Sequence, residues 1–378
     1  MRKVLYLGRF GLPETAAGIR VYRIAKIISA AGCQVRFGCY GTKYQTSKET
    51  YDGLEYHFRT VFTGWRKILN VLDLYSDYLK IRFANRLIKS YQPNMVILYN
   101  PTSRMANRVR QLCKKRKISV VVDVTEWYEV SHQKKAEKVV AVSVDKRIRK
   151  IDKKMDGIIS ISPYLTNYYE KQGKQVYEIP PVMMEIGRKD FSKKRAHDGA
   201  RLSIVYAGIP GKKDQLENVI QAVESINSQS IQVHLDIIGI DEEKPIPGVQ
   251  FYGRLSHEKT VNIVKQADFS VLFRENLRYA KAGFSTKFAE SMSLGVPVIC
   301  NEVGGCDALV RNWENGIVLR DGEVETIKEC LFTLLNQADS ALVDMKKEAV
   351  KLAEDRFSVY VNQKTIQRML NDLLGGDI

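Results

Sequence analysis

The sequence predicts an α/β protein of two domains in tandem, each built on a parallel sheet. Three observations carry this expectation. The chain has 378 residues, more than a single core usually holds, since cores stop growing near about 250–300 residues. Short apolar runs alternate with stretches of helical period along almost the whole length. A Pro180-Pro181 pair followed by the charged stretch 187–199 interrupts that alternation midway. The expected boundaries are 1–185 and 186–357 for two Rossmann-like domains, with 358–378 as a final helix.

In the first half, the apolar run Val4–Gly8 precedes a glycine-rich turn and a helical pattern through Val21, Ile24, Ala25, Ile27 and Ile28, closing at Ala31-Gly32. Gln34–Tyr40 follows as the next strand, completing a β-α-β unit. Further strands are expected at Met95–Tyr99, Val120–Val124, Gly157–Ser162 and Tyr177–Ile179. Between Trp65 and Lys89, apolar residues recur at helical spacing with six basic residues among them. A core-facing helix and a surface-seeking basic amphipathic helix both fit that pattern. The second half opens with a strand at Leu202–Gly208. It continues with a helix at Leu216–Ile226, strands at His234–Gly239 and Val249–Tyr252, and a helix at Lys259–Gln266. A strand at Phe269–Phe273, a helix at Thr286–Leu294 and strands at Val296–Cys300 and Gly316–Leu319 come next. Amphipathic helices at Glu323–Leu335 and Ser358–Leu374 close the chain.

Composition excludes several classes. With 44% hydrophobic and 27% charged residues, the chain is neither disordered nor fibrous. Its six cysteines form no C-x-x-C pair and no cluster at zinc spacing, so reduced, mostly buried thiols are expected. The first residues are too short an apolar run for a signal peptide, and no stretch approaches the ~20 apolar residues of a membrane helix. A cytoplasmic location follows as the expectation. The net charge of +16 is unevenly divided: residues 1–185 carry 34 Lys+Arg against 16 Asp+Glu, and the remainder carries 25 against 27. Solvated helix faces account for any single basic run. An excess confined to one half points instead to an anionic partner such as membrane lipid, a phosphorylated acceptor or nucleic acid.

The sharpest local signal is Lys281–Ile299. Gly283 suits a tight turn, and Ser285 or Thr286 suits the N-cap of the next helix. Free amides at that helix start, from Gly283 and Phe284 to Thr286, suit a phosphate. Lys287 adds a full charge in the first turn, and Glu290 lies three residues on, on the same face. A carboxylate so placed suits two vicinal ribose hydroxyls. The plainer reading is a capped helix with a solvent Lys–Glu pair. A second phosphate candidate is Gly208–Asp214, where Lys212 and Lys213 follow two glycines between a strand and a helix; its spacing is not that of a Walker loop. The first turn, Gly8–Arg20, lacks dinucleotide spacing, although Gly18 at a helix start and Arg20 behind it are candidates to face the donor from the opposite side. Asp123 and Glu126 put two carboxylates after a strand, and Tyr99–Arg104 is another polar loop. No Ser-His-Asp arrangement or metal-binding carboxylate pattern is evident, and the chain has five histidines.

On these motifs the chain resembles the family-4 retaining glycosyltransferases of the GT-B fold. The resemblance runs through Gly18–Gly32, Ile158–Leu165, Leu202–Gly208, Val271–Phe273, Gly304-Gly305, Asn315-Gly316 and Arg356-Phe357-Ser358, and is most specific at Gly283–Pro297. It implies two Rossmann-like domains facing each other across a cleft, the first for the acceptor and the second for a nucleotide-sugar, with no metal or other cofactor. The last helix is then expected to cross back onto the first domain. Of the family's two glutamates separated by seven residues, Glu290 matches the second, which binds ribose, and the first falls on Ala282. The arginine often found after the glycine of the Gly208 loop is Ile209 here. The family's sugar-contacting histidine would fall near Thr125-Glu126, and no histidine stands there. The wording Gly-Phe-Ser-Thr-Lys-Phe-x-Glu is similar to bacterial surface-polysaccharide transferases.

The resulting expectation is retaining transfer from a UDP-sugar to a saccharide or lipid-diphosphate-saccharide. Lys212, Lys213, Lys287 and the amides of Gly283–Thr286 take the diphosphate, Glu290 the ribose and Arg254 the base or phosphate. Glu126 is the candidate sugar contact or base. The basic first half would meet anionic lipid at the inner membrane face, and nucleic acid is not expected, for want of any recognition motif. A GT-B sugar-nucleotide epimerase, which needs catalytic acids and no acceptor, and a non-catalytic sugar-nucleotide binder are the alternatives.

Overall fold

The computed structural model describes residues 1–12, 15–41, 50–60, 77–131, 135–187, 191, 200–209, 214–242, 245–303 and 305–375. They form two compact units, Met1–Val182 with Asn362–Ile378, and Met183–Val361. The chain exchanges units just after the Pro180-Pro181 pair and returns to the first within its last helix.

The first unit holds an eight-stranded sheet in the order β3-β4-β2-β1-β5-β6-β7-β8. Its strands are β1 (Lys3–Gly8), β2 (Gln34–Gly41), β3 (Thr50–Tyr51), β4 (Leu54–Thr60), β5 (Met95–Tyr99), β6 (Ser119–Val124), β7 (Gly157–Ser160) and β8 (Val176–Glu178). All pairs are parallel except β3 with β4. The central strands are apolar throughout because helices cover both faces of a parallel sheet; Val4, Leu5, Tyr6 and Leu7 are all fully buried. Val4 registers with Val35 on one side and Met95 on the other.

Three helix starts in this unit are set by side-chain caps. Thr15 accepts from the Gly18 amide to open α1 (Ala16–Ala30). Thr102 accepts from Met105 to open the helix Ser103–Lys114, and Ser162 accepts from Leu165 with Pro163 at the first position of Pro163–Glu170. Each cap satisfies an amide the helix leaves unpaired, worth about 1 kcal/mol. Of the aromatic-basic stretch Trp65–Lys89, residues 65–76 lie outside the described residues. The rest belongs to the helix Asp77–Tyr91, which buries Phe83, Ala84, Leu87 and Ile88. Its described part therefore faces the core.

The second unit is a six-stranded, wholly parallel sheet ordered β11-β10-β9-β12-β13-β14. These are β9 (Leu202–Ala207), β10 (Val233–Ile238), β11 (Val249–Phe251), β12 (Phe269–Leu272), β13 (Val298–Asn301) and β14 (Ile317–Leu319). Strand order reverses between β9 and β12, the place where open α/β sheets bind ligands at the carboxyl ends of their strands. One core packs the helices Leu216–Ile226 and Val324–Leu335 against β9, β10 and β12. Another packs Phe288, Ala289 and Met292 against the 19-residue helix Asp339–Phe357. All six cysteines are buried and unbridged. No helix among the described residues is long and apolar enough to cross a membrane.

The last helix, Val359–Leu374, carries its final turns with the first unit. There the Asp372 carboxylate accepts from the Tyr177 hydroxyl at 2.9 Å and from the Gln175 amide at 2.7 Å.

Candidate functional site

The site in the second unit grows from the carboxyl ends of β9 and β12. Strand β9 ends at Ala207, and Gly208 follows with φ of 139°, a conformation that L side chains rarely adopt. A Cβ at Gly208 would run into the Lys287 side chain, so glycine is required there twice over. Lys287 comes from the first turn of the helix Thr286–Ser293, whose N-cap is Ser285, its hydroxyl accepting from the Phe288 amide at 3.4 Å. The sequence-predicted Gly208 and Lys287 are thus in direct contact.

Lys287 Nζ donates to the Tyr206 hydroxyl at 2.6 Å and to Asp214 Oδ2 at 2.9 Å. The Tyr206 hydroxyl donates to the same carboxylate at 2.6 Å, and Arg274 Nε donates to its Oδ1 at 3.0 Å. Arg274 is itself fixed by Asn301, whose side chain accepts from the Arg274 amide and donates to its carbonyl. Two cations therefore share one carboxylate. Lys287 and Arg274 keep 21% and 17% of their side-chain surface in solvent, whereas Asp214 keeps 6%. The cluster is open on its cationic side.

The electrostatics follow from that geometry. Burial pushes Asp214 up, but the charge of Lys287, the Tyr206 hydrogen bond and the charge of Arg274 outweigh it, leaving the carboxyl below its usual value. Burial lowers Lys287, with Asp214 pulling the other way. Tyr206 is raised well out of its normal range by burial and by Asp214, so it stays a neutral donor. An incoming diphosphate would find two cations and lose little by displacing their contacts to one carboxylate.

The other expected donor residues are placed unevenly. Thr286 is exposed beside Lys287, and Glu290 is half-buried one turn further along the same helix. Arg254 is exposed after Gly253, whose amide is bonded to the Ile240 carbonyl, at the loops that follow β10 and β11. Lys212 and Lys213 lie outside the described residues. Two corrections concern the amides. Gly283 is not free, because its N–H donates to the Tyr279 carbonyl at 3.0 Å, closing the short helix Arg278–Ala282. The Ser285 amide is engaged too, donating to the Cys306 thiol, which burial nevertheless pushes up to about 11. Phe284 is a packing residue: its ring lies edge-on to Phe288 and Phe357 at 6.0 and 5.7 Å. Among the described residues, only the Phe284 and Thr286 amides of this turn are without a backbone or cap acceptor.

In the first unit, Arg20 and Asp123 do not form an open site. Arg20 Nη2 donates to Asp123 Oδ1 at 2.8 Å and Arg20 Nη1 to the Ile179 carbonyl at 2.7 Å, while the Tyr6 hydroxyl donates to Asp123 Oδ2 at 2.6 Å. The pair is 7% and 0% exposed. Gly18 serves packing: a Cβ there would overlap the Gly11 backbone. The carboxyl ends of β5 and β6 do carry an accessible polar group. Asn100 and Thr125 are tied by 2.5 and 3.1 Å hydrogen bonds, and the Tyr128 hydroxyl donates to Glu126 Oε2 at 2.6 Å. Glu126 is half-buried there. No group of three or more His, Cys, Asp or Glu residues that could hold a metal ion occurs among the described residues.

Sequence reading missed Asp214 as a site residue and missed Arg274 altogether. Arg274 directly follows the Val271–Phe273 segment, but it has no glycine beside it and no residue pattern of its own marks it. Asp214 closes the lysine-containing loop, and that adjacency was the available signal.

Residues 187–352 match the family "Glycosyl transferases group 1". The chain is 24% identical over 251 residues to the uncharacterized glycosyltransferase MJ1069 of Methanocaldococcus jannaschii, covering 60% of this chain and 62% of that one. It is 26% identical over 176 residues to the capsular polysaccharide biosynthesis glycosyltransferase CapM of Staphylococcus aureus, covering 45% and 46%. The matched regions thus span less than two thirds of either relative. Among solved structures, sucrose-phosphate synthase from Thermosynechococcus elongatus superposes with a TM-score of 0.76 at 15% identity, covering 99% of both chains. HepE of Anabaena, in complex with UDP and glucose, gives 0.69 at 15% identity over 98% and 100%. The chain has the GT-B fold, and its match to the glycosyl transferases group 1 family lies over residues 187–352.

Proposed function

We propose that the chain transfers a glycosyl group, with retention of configuration, from a nucleotide-sugar to a saccharide or lipid-linked saccharide acceptor in bacterial cell-surface polysaccharide synthesis. The observation that carries the reading is the Lys287–Asp214–Arg274 cluster at the carboxyl ends of β9 and β12, with two cations held ready on one carboxylate. A departing nucleoside diphosphate accumulates negative charge as the glycosidic bond breaks. Cations already fixed in place stabilise that charge without reorganising. Lys287 and Arg274 do this by exchanging Asp214 for phosphate oxygens, and the Phe284 and Thr286 amides add donors at the helix start. Glu290, one turn on, takes the ribose hydroxyls. The donor is read as a UDP-sugar, in keeping with HepE, which was solved with UDP and glucose, and the polysaccharide setting is in keeping with CapM.

The departing phosphate is itself basic enough to accept the acceptor's proton, so the reaction needs no separate protein base. Glu126, steadied by Tyr128 in the first unit, is the sugar contact in this scheme. No metal or other cofactor has a role in it. The basic first unit meets anionic lipid at the inner face of the membrane, where each Lys or Arg near the surface contributes about 1 kcal/mol. The test is a transfer assay with radiolabelled UDP-sugars on wild type and Glu290→Ala. Turnover should disappear in the variant while its melting temperature holds. Near-wild-type turnover would remove Glu290 from the donor site.

A further inference from the structure

The first unit contains a cavity whose lining shares no residue with those assigned above to the donor or the sugar. It measures about 940 Å³ and lies between the helices Asp77–Tyr91 and Ser103–Lys114 and the segment that follows the helix Lys135–Lys146. Among the described residues its charged lining is cationic throughout: Arg82, Arg104, Arg108 and Lys146. All four are exposed, and none has an ion-pair partner among the described residues. Four like charges lining one cavity carry a Coulombic cost, and no carboxylate stands among its described lining residues to relieve them. Asn85 also lines the cavity, and its buried Oδ1 has no hydrogen-bond partner among the described residues. A buried acceptor beside four cations suits a ligand that carries both an anionic group and a donor.

The rim adds a second, independent property. Tyr78, which also lines the cavity, is 68% exposed, and Val139 and Val142 are 45% and 48% exposed. Val139, Val142 and Lys146 are spaced by three and four residues, so they form one stripe along their helix that runs into the cavity. That helix adjoins the groove directly, since the Ser103 amide donates to the Ser143 hydroxyl at 3.0 Å. Exposed apolar residues bordering a basic pocket match the boundary between acyl chains and headgroups.

We propose that this groove holds the phosphate of an anionic, hydroxyl-bearing phospholipid headgroup. Arg82, Arg104, Arg108 and Lys146 surround the phosphate, Asn85 accepts from a headgroup hydroxyl, and Tyr78, Val139 and Val142 enter the interface. The inference sharpens the membrane clause of the proposed function into one site, and it is independent of the donor chemistry.

The test is flotation of the full chain with vesicles of phosphatidylglycerol in phosphatidylcholine, compared with phosphatidylcholine alone. Two charge-matched double variants are compared: Arg104→Glu with Arg108→Glu inside the groove, and Lys115→Glu with Lys117→Glu outside it. At about five-fold per cation, the groove variant should bind the anionic vesicles about 25-fold or more weakly, and Val139→Ser with Val142→Ser should also weaken binding. The outer variant should lose clearly less. UDP-induced thermal stabilisation, measured on the same samples, should be unchanged in all of them. Equal losses in the two charge variants would overturn the groove and leave only a diffuse basic surface. No flotation of wild type would overturn the lipid assignment, even with the UDP shift intact. Stabilisation by inorganic phosphate that the groove variant loses, without flotation, would overturn it in favour of a soluble phosphate. Flotation without a UDP shift would instead count against the donor reading and leave the groove standing.

Discussion

Each unit places a tyrosine, an aspartate and a cation at the carboxyl end of its sheet, yet the two clusters do different work. In the first, Tyr6 of β1 donates to Asp123 at 2.6 Å and Arg20 closes the group at 2.8 Å. In the second, Tyr206 of β9 donates to Asp214 at 2.6 Å and Lys287 and Arg274 close it at 2.9 and 3.0 Å. The distances are nearly the same, and the surroundings are not. Arg20 and Asp123 are 7% and 0% exposed, and Arg20 spends a further donor on the Ile179 carbonyl. Lys287 and Arg274 retain roughly a fifth of their surface each. The first cluster is a closed internal tie between β1, α1, β6 and the chain after β8. The second has one carboxylate for two cations, an imbalance that a bound anion would correct. Burial and stoichiometry, rather than residue type, separate a structural ion pair from a binding site.

That contrast can be broken most forcefully in the first unit. Asp123→Ala leaves Arg20 buried without its counter-charge, which should cost about 3–5 kcal/mol of folding stability in urea unfolding. A loss under about 1 kcal/mol would show that water or another carboxylate reaches Arg20, and the two clusters would then be alike.

A smaller effect sharpens the contrast in the second unit. Asp214 titrates below its usual value in the folded protein. Its contribution to stability is therefore present above the unfolded carboxylate value near about 4, and is lost as pH falls through the folded value. Asp214→Asn should lower stability by about 1–3 kcal/mol at pH 7, with the difference from wild type shrinking as pH drops below about 4. A difference that is the same at pH 7 and pH 3 would mean that the Asp214 charge plays no part.

Much of this was legible in the sequence, and the limits have physical causes. Met95–Tyr99 and Leu216–Ile226 fall where their patterns put them, because a buried parallel strand and an amphipathic helix each leave a regular apolar signature. The Gly208–Lys287 contact was foreshadowed by two loops, each of which looked suited to phosphate. The helix Asp339–Phe357 was passed over, since its polar residues outnumber the few that reach the core. Arg20 and Asp123 were read as site residues because charge after a strand looks functional until burial is known. Gly283 and Ser285 looked like phosphate amides, but tertiary bonds to Tyr279 and Cys306 claim them. Arg274 was invisible because its role arises from Asp214, 60 residues away in the chain.

The most direct test of the account is titration of UDP into wild type and Lys287→Ala by calorimetry, with the melting temperature of each recorded. The account predicts measurable UDP binding to wild type and a loss of about ten-fold or more in the variant, with the fold intact, since a charge-assisted contact to phosphate contributes about 1.5–3 kcal/mol. Equal UDP affinity in the two proteins, or no binding of UDP to wild type, would contradict it.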